Sequence, residues 1–420
     1  MKSLRNLAAA LLMVALLVVP ASAEFEFPEF DLGGETVYLW CWYDIGIEER
    51  IAEAEELFNV KIELPQVGWE TQTDTYMSRL LAGDSEYDIW YVSHQYAIPI
   101  MKDGAFYPMD TVLPEEYFES MDPHLKTMID NLILHDNIYA FHSMHSAMND
   151  MSFFVWNKSL FDREGLPDLN EAYFNDEWTW ELATEIAITA TRDTDGDGIV
   201  DQYGFSEVFA WPFVLSHGAT VVEKDETGRW VFAMNTEPAL QALQQIYEWN
   251  HVHQVAEGDW FQTPFREGKR AFANMPAWML WSLADEMDDE YGVLPYPKGP
   301  NNEYYTAPTD VLNMFYLPAN SANPLAMAAI VDFLMADPDD YFYEVIENQI
   351  VGQAPDRVSA HIMEEAILNW DGQFDIVRGF AGSSILDDAM WTIISGEKTP
   401  AQAMSEIRPQ MQAAIDDLLN

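Results

Sequence analysis

The chain is poor in cysteine, with one in 420 residues, and poor in bases, with 20 lysines and arginines against 71 aspartates and glutamates. A single thiol can form no internal disulfide and no paired-cysteine metal or redox motif. Cys41 lies inside Val37–Trp42, too far from the start to be a lipidated first residue, and reads as a buried strand thiol. A formal net charge of −51 repels nucleic acid and anionic membranes, which removes both as partners. No cluster of bases offers a pocket for an acidic substrate. Beyond residue 19 no apolar run approaches the length that spans a bilayer. Phosphate-loop, nucleophile-elbow and HExxH spacings are all missing.

What is present is a chain able to build two cores: 49% hydrophobic and 14% aromatic residues over a length suited to two domains. Its first segment stands apart. Lys2 and Arg5 precede an apolar stretch from Leu7 to Val19, closed by Pro20-Ala21-Ser22-Ala23 before Glu24. Charged start, short apolar middle and small residues at the end describe a secretory signal over residues 1–23, cut after Ala23. The expected mature protein is exported and soluble, in a periplasm or at a cell exterior.

Thr36–Tyr43, rich in β-branched and aromatic residues behind Gly33-Gly34, predicts a strand. Ile47, Ile51, Ala54 and Phe58 recur at helical spacing. Val60, Ile62 and Leu64 alternate as a second strand, and a helix around Met77, Leu80 and Leu81 stops near Gly83. Asp88–Val92 is nearly continuous in apolar residues, as a strand covered on both faces should be. Strand, helix, strand, helix, strand is the order of an open, mostly parallel α/β sheet, whose ligands sit beyond the carboxyl ends of the strands. Those ends carry Trp42-Tyr43-Asp44, Gly68-Trp69-Glu70 and Ser93-His94-Gln95-Tyr96. Aromatic faces beside hydrogen-bonding groups suit a sugar ring; equally, some of these rings could only cap the core. Further helices are expected over 237–251 and 400–419, and Trp178 and Trp180 are assigned to structure.

The stretch Asp193-Thr-Asp-Gly-Asp-Gly-Ile-Val-Asp-Gln-Tyr-Gly204 sets Asp193, Asp195 and Asp197 at positions one, three and five of a calcium loop, with the carbonyl of Ile199 and the carboxylate of Asp201 to follow. Its twelfth position is Gly204, where a bidentate glutamate belongs. A structural Ca2+ and an empty solvated turn therefore both stand. A catalytic reading is weaker, because a glycosidase sets its two carboxylates across a cleft, not on one turn.

Several segments, taken in order, resemble one known family. Tyr87-Asp-Ile-Trp-Tyr-Val-Ser93 resembles its PDI-type third strand, and Met101-Lys-Asp-Gly-Ala-Phe-Tyr-Pro-Met109 its GxLxPL segment. Ile138-Tyr-Ala-Phe with Phe154–Pro167 resembles its IYGLP…YYNKDLFEKAGL. Phe265–Trp278, Leu317–Pro324 and Ile394–Ala403 resemble three later motifs. The family is the extracellular solute-binding proteins of the sugar-binding group serving ABC importers. Two departures are a missing lipobox and Met275-Pro276-Ala277 where the family often has Gly-Pro.

The resemblance implies a two-lobed periplasmic-binding-protein fold of type II, with ligand trapped between lobes joined by hinge crossings. Lobe one would hold 30–149 plus 272–318, and lobe two 150–271 plus 319–420. Carried onto matching positions, it implies ligand contacts from Trp42, Asp44, Trp69, Ser93, His94, Gln95, Asn149, Asp150, Trp211 and Trp278. The expected function is a monomeric, non-catalytic binder of a neutral carbohydrate, with ABC-transporter membrane subunits as partners. A secreted glycoside-active enzyme and a binder of a non-sugar neutral solute are the alternatives.

Overall fold

The computed structural model describes residues 25–420 apart from 46, 85, 122, 144–149, 207–209, 258–261, 310, 336–350, 371–373, 375 and 379–380. The signal segment 1–23 and Asn149 lie outside the described residues.

Two sheets organise the chain; their strands are numbered here in chain order. The first sheet contains β1 (Glu35–Trp40), β2 (Val60–Glu63), β3 (Ile89–Ser93), β4 (His142–Ser143) and β9 (Asn313–Tyr316), in the order β2-β1-β3-β9-β4. β1 pairs in parallel with β2 and β3, while β9 runs antiparallel to β3 and β4. The helices α1 (Glu48–Phe58) and α2 (Gln72–Ala82) make the crossovers. Gly83 stops α2 in the left-handed region at φ 63°, returning its N–H to the carbonyls of Arg79 and Leu80, a cap glycine meets without steric cost. All five residues of β3 are buried, as the strand at the centre of a two-faced sheet must be.

The second sheet contains β5 (Ser152–Asn157), β6 (Tyr203–Phe205), β7 (Arg270–Pro276) and β8 (Tyr291–Leu294), in the order β8-β5-β7-β6. Its covering helices are α4 (Trp180–Ala190), α5 (Ala210–Ser216) and α6 (Glu237–His251). Trp178 and Trp180 are fully buried, and their indole N–H groups donate to the Pro295 carbonyl and the Ser216 hydroxyl. Their assignment to structure holds.

The division between the bodies differs from the expected one. Residues 270–276 pair along β5 over five positions and 291–294 over four, so 272–294 builds the second sheet, not the first lobe. Conversely α8 (Pro324–Met335) packs on α1 in the first body, where Phe333 meets the Phe58 ring at 5.9 Å and lies under the Arg50 guanidinium. The chain returns to the second body in α9 (Arg357–Leu368), which packs on β8, and continues there through α10 (Ala381–Ile394) and α11 (Pro400–Leu418). Three passages thus join the bodies. At the junction Met151 bridges Thr309 antiparallel, and Thr309 bridges Phe374 in parallel. Among the described residues no helix is long and apolar enough to cross a membrane.

Candidate ligand-binding cleft

The carboxyl ends of β1 and β3 come together with the short helical turn Trp69–Thr71 beyond β2. Trp42, half-buried, lies 4.4 Å from the Trp69 ring and 4.3 Å from Tyr43, centroid to centroid. Trp69 meets Tyr96 edge to face at 5.1 Å, and the Tyr43 hydroxyl lies 3.3 Å from that of Tyr91. The result is a continuous aromatic cluster at the end of the parallel strands where such sheets bind ligands. The cluster has a polar seam. The Trp42 indole donates to Asn313 Oδ1 at 3.2 Å, and Asn313 is the register partner of Ser93. The Ser93 hydroxyl is fully buried with no hydrogen-bond partner. A buried, unpartnered hydroxyl costs about 1–3 kcal/mol, an outlay that a ligand oxygen would relieve.

His94 begins the helix α3 (His94–Met101) and is fully buried. Its Nδ1 accepts the Leu312 N–H at 3.0 Å while its own N–H donates to the Leu312 carbonyl, so the ring pins α3 to the entry of β9. An Nδ1 that accepts leaves the proton on Nε2. The ring also meets Phe374 edge to face at 5.0 Å. Gln95 is buried, and its Oε1 accepts from Arg378 Nε at 3.1 Å. Phe374 and Arg378 belong to the segment lying on the junction, so three parts of the sequence meet around His94 and Gln95.

Five of the expected site residues, Trp42, Trp69, Ser93, His94 and Gln95, therefore share one region. Asp44 is exposed just beyond β1, and Asp150 is half-buried at the entry to β5. Trp211 is half-buried in the first turn of α5, in the second body. Trp278 is 41% exposed in the first turn of the helix α7 (Ala277–Glu286), which follows β7, and Trp281 one turn on is 48% exposed. The sequence-based set lacks Arg378, Asn313, Tyr43 and Tyr96. Tyr43 and Tyr96 adjoin residues that it contains. Arg378 carries no local signal except the scarcity of bases.

Burial raises the Tyr96 pKa, with Glu70 adding to the rise and Arg378 opposing it. Burial likewise raises that of Asp387, against the pull of Arg378. The guanidinium is thus close enough to act on both.

The acidic loop is a separate feature of the second body. Arg192 and Gln202 bridge across its base, exchanging backbone hydrogen bonds of 2.9 and 3.1 Å. Carboxylate oxygens of Asp193, Asp195 and Asp197 all lie within 4.8 Å of one another, a spacing that fits three ligands of one hard cation. Asp193 is held below the usual carboxylate range by the N–H groups of Gly198 and Gly196. Asp201 is turned to Thr194, whose backbone N–H and hydroxyl both donate to it, and that contact lowers its pKa. The Ile199 side chain is 69% exposed, and its N–H donates to Asp197. The missing twelfth ligand has a steric reason: a Cβ on Gly204 would stand 2.3 Å from the Ala187 side chain and 2.4 Å from its Cα, because β6 packs tightly on α4.

Comparison with known proteins agrees with this architecture. A family profile described as bacterial extracellular solute-binding protein matches residues 49–341. Among solved structures, an ABC substrate-binding protein from Listeria monocytogenes in complex with cycloalternan aligns with a TM-score of 0.64 at 14% identity, over 91% of this chain and 99% of that one. The cyclic α-maltosyl-1,6-maltose binding protein from Arthrobacter globiformis aligns at 0.67 and 16%, over 92% and 100%. UgpB from Mycobacterium tuberculosis in complex with glycerophosphocholine aligns at 0.65 and 15%, over 92% and 99%. No curated protein sequence matches the chain.

Proposed function

This chain belongs to the bacterial extracellular solute-binding proteins, and from that premise we propose that it captures a neutral carbohydrate, an oligosaccharide first of all, between its two bodies. It hands the sugar unchanged to the membrane subunits of an ABC importer. The observation that carries the sugar reading is the cluster of Trp42, Tyr43, Trp69 and Tyr96 with its polar seam of Ser93, Gln95 and Asn313. Rings supply stacking faces, and the seam supplies hydrogen bonds for hydroxyls. A micromolar binder needs about 8 kcal/mol net, within reach of a few stacked faces and charge-assisted hydrogen bonds. Asp44, Asp150, Trp211 and Trp278 are proposed as contacts made on closure, since a ligand drives closure only through groups it touches better in the closed state. Residues 1–23 are proposed as a signal removed on export, the mature chain as a monomer, and the loop at Asp193, Asp195 and Asp197 as a structural Ca2+ site remote from the sugar.

The test is tryptophan fluorescence and thermal melting of residues 24–420 against neutral mono- and oligosaccharides, with calcium present. A saturable shift with one sugar class, and that sugar recovered intact, is the expected result. Product release would overturn the proposal in favour of a glycoside-active enzyme. Silence across the panel, with a response to a non-sugar solute, would overturn the carbohydrate reading.

A further inference from the structure

We infer that Arg378 is a specificity-determining residue of the cleft, binding a ligand oxygen from the junction segment while its acidic surroundings restrict that ligand to uncharged sugars. The inference deepens the carbohydrate reading and rests on it.

In a chain with 20 bases and 71 acids, several cations pair with an acid nearby in sequence, as Lys126 does with Asp130, Lys269 with Glu267 and Arg79 with Asp84. Arg378 differs in place and in partner. Its Nε donates to the neutral amide oxygen of Gln95, a contact spanning 283 residues. An amide oxygen positions a guanidinium without cancelling its charge, and a sugar hydroxyl presents the same kind of acceptor. Gln95 is followed by Tyr96, whose ring meets Trp69. A sugar stacked on the cluster at Trp69 and Tyr96 would therefore lie beside the guanidinium. Because Arg378 follows Phe374, which packs on His94, it comes from chain outside the first sheet. A sugar held by both would link the first body to the junction segment.

The surroundings set the charge preference. Glu70 and Arg378 act on Tyr96 in opposite senses, and Arg378 and Asp388 act on Asp387 in opposite senses. Asp44 stands exposed beyond the same strand end. One guanidinium among these carboxylates leaves no surplus of positive charge for a uronate or phosphate. Its fixed N–H groups still match the oxygens of a neutral sugar.

The test titrates residues 24–420 and the variants Arg378→Ala, Arg378→Lys and Asp387→Asn with maltotetraose and with tetragalacturonate, at low ionic strength. The unaltered chain should bind the neutral tetramer and refuse the uronate. Losing a charge-assisted hydrogen bond in Arg378→Ala should weaken the neutral sugar about tenfold or more. Arg378→Lys, which keeps the charge and loses the planar donors, should recover only part of this. Asp387→Asn should raise uronate affinity about threefold, the size of a partly exposed charge effect. Melting curves confirm folding, and should Arg378→Ala fail to fold, the other two variants carry the test. If the unaltered chain binds the neutral sugar and the folded variants bind both sugars as it does, the role of Arg378 is overturned and the carbohydrate reading stands. If the unaltered chain binds the uronate better than the neutral sugar, the charge argument is overturned. If it binds neither, nor any neutral sugar, the carbohydrate reading falls and this inference with it.

Discussion

Trp42 and Asn313 stand 271 residues apart in the chain, and the indole N–H of one donates to the side-chain oxygen of the other at 3.2 Å. Trp42 ends a parallel strand, whereas Asn313 opens the antiparallel strand that arrives after the second crossing. The aromatic cluster is therefore fixed by a residue that joins the sheet only after the second body has been built. Ligand platform and junction share one hydrogen bond.

Separating the ring from its N–H tests that relationship. Trp42→Phe should keep most of the stacking face and cost about 1 kcal/mol of stability, because Asn313 loses its donor. Trp42→Ala should in addition lower affinity for the responding sugar about tenfold or more, as removal of a buried interface aromatic does. Denaturant unfolding and sugar titration of the two variants separate these effects. Equal affinities for the two would show that the ring touches no ligand.

The acidic loop should respond to calcium in stability, not in sugar binding. Chelation, or Asp195→Asn, should lower the melting temperature by a few degrees, as loss of a ligand bound only to the native state requires. Affinity for the responding sugar should stay within about twofold of its starting value, inside the scatter of distant substitutions. Melting with and without added Ca2+ gives the answer; a curve unmoved by either treatment would leave the loop a solvated turn.

Gly204 should tolerate no side chain. Gly204→Ala places a Cβ against the backbone of Ala187, so either β6 or α4 must shift. Overpacking of this kind costs roughly 1–3 kcal/mol, read from the midpoint of denaturant unfolding. A glutamate there, intended to complete the calcium loop, should unfold the second body before it could reach an ion.

Much of the first body was legible from the residues. Period-two and helical spacing place β1, α1, β2, α2 and β3 nearly where they stand, since each buries one patterned face locally. The strand-end clusters follow from that order, and five of the expected site residues do converge. The crossings were less legible. Nothing within 270–294 says which sheet it joins, because a buried strand such as Arg270–Pro276 shows no alternation and its pairing with Ser152–Asn157 is a long-range choice. Arg378 stayed hidden for a related reason: its role comes from the meeting of Gln95 and Phe374 with His94, not from its neighbours in sequence.

The acid excess should make the fold depend on salt. Self-repulsion of a net −51 charge destabilises the compact state, and added salt shortens its range to about 10 Å at 0.1 M and about 3 Å at 1 M. Melting temperature should rise with NaCl concentration. The ion pair of Lys102 with Asp417, which links α3 of the first body to α11 of the second, should weaken in the same titration. A melting temperature that falls with salt would mean that ion pairs, not repulsion, dominate the surface.

Asp356 gives a pH dependence whose sign can be worked out. It caps α9, accepting from Ser359 N–H at 2.8 Å, and pairs with Lys158 of the second body. Burial raises its pKa, but the Lys158 ammonium and the Ser359 N–H together outweigh burial and hold it below the ordinary 3.8. A carboxylate depressed in the folded state contributes stability above its unfolded pKa and loses it as pH falls through the folded value. Asp356→Ala should therefore cost about 1 kcal/mol at neutral pH, the usual worth of a helix cap. The gap between variant and parent should close as pH drops from about 5 to below 3.8, the ordinary aspartate range. Urea unfolding of both proteins across that range is the measurement. A gap that stays constant with pH would place the contribution in cap geometry and packing, with none from the charge.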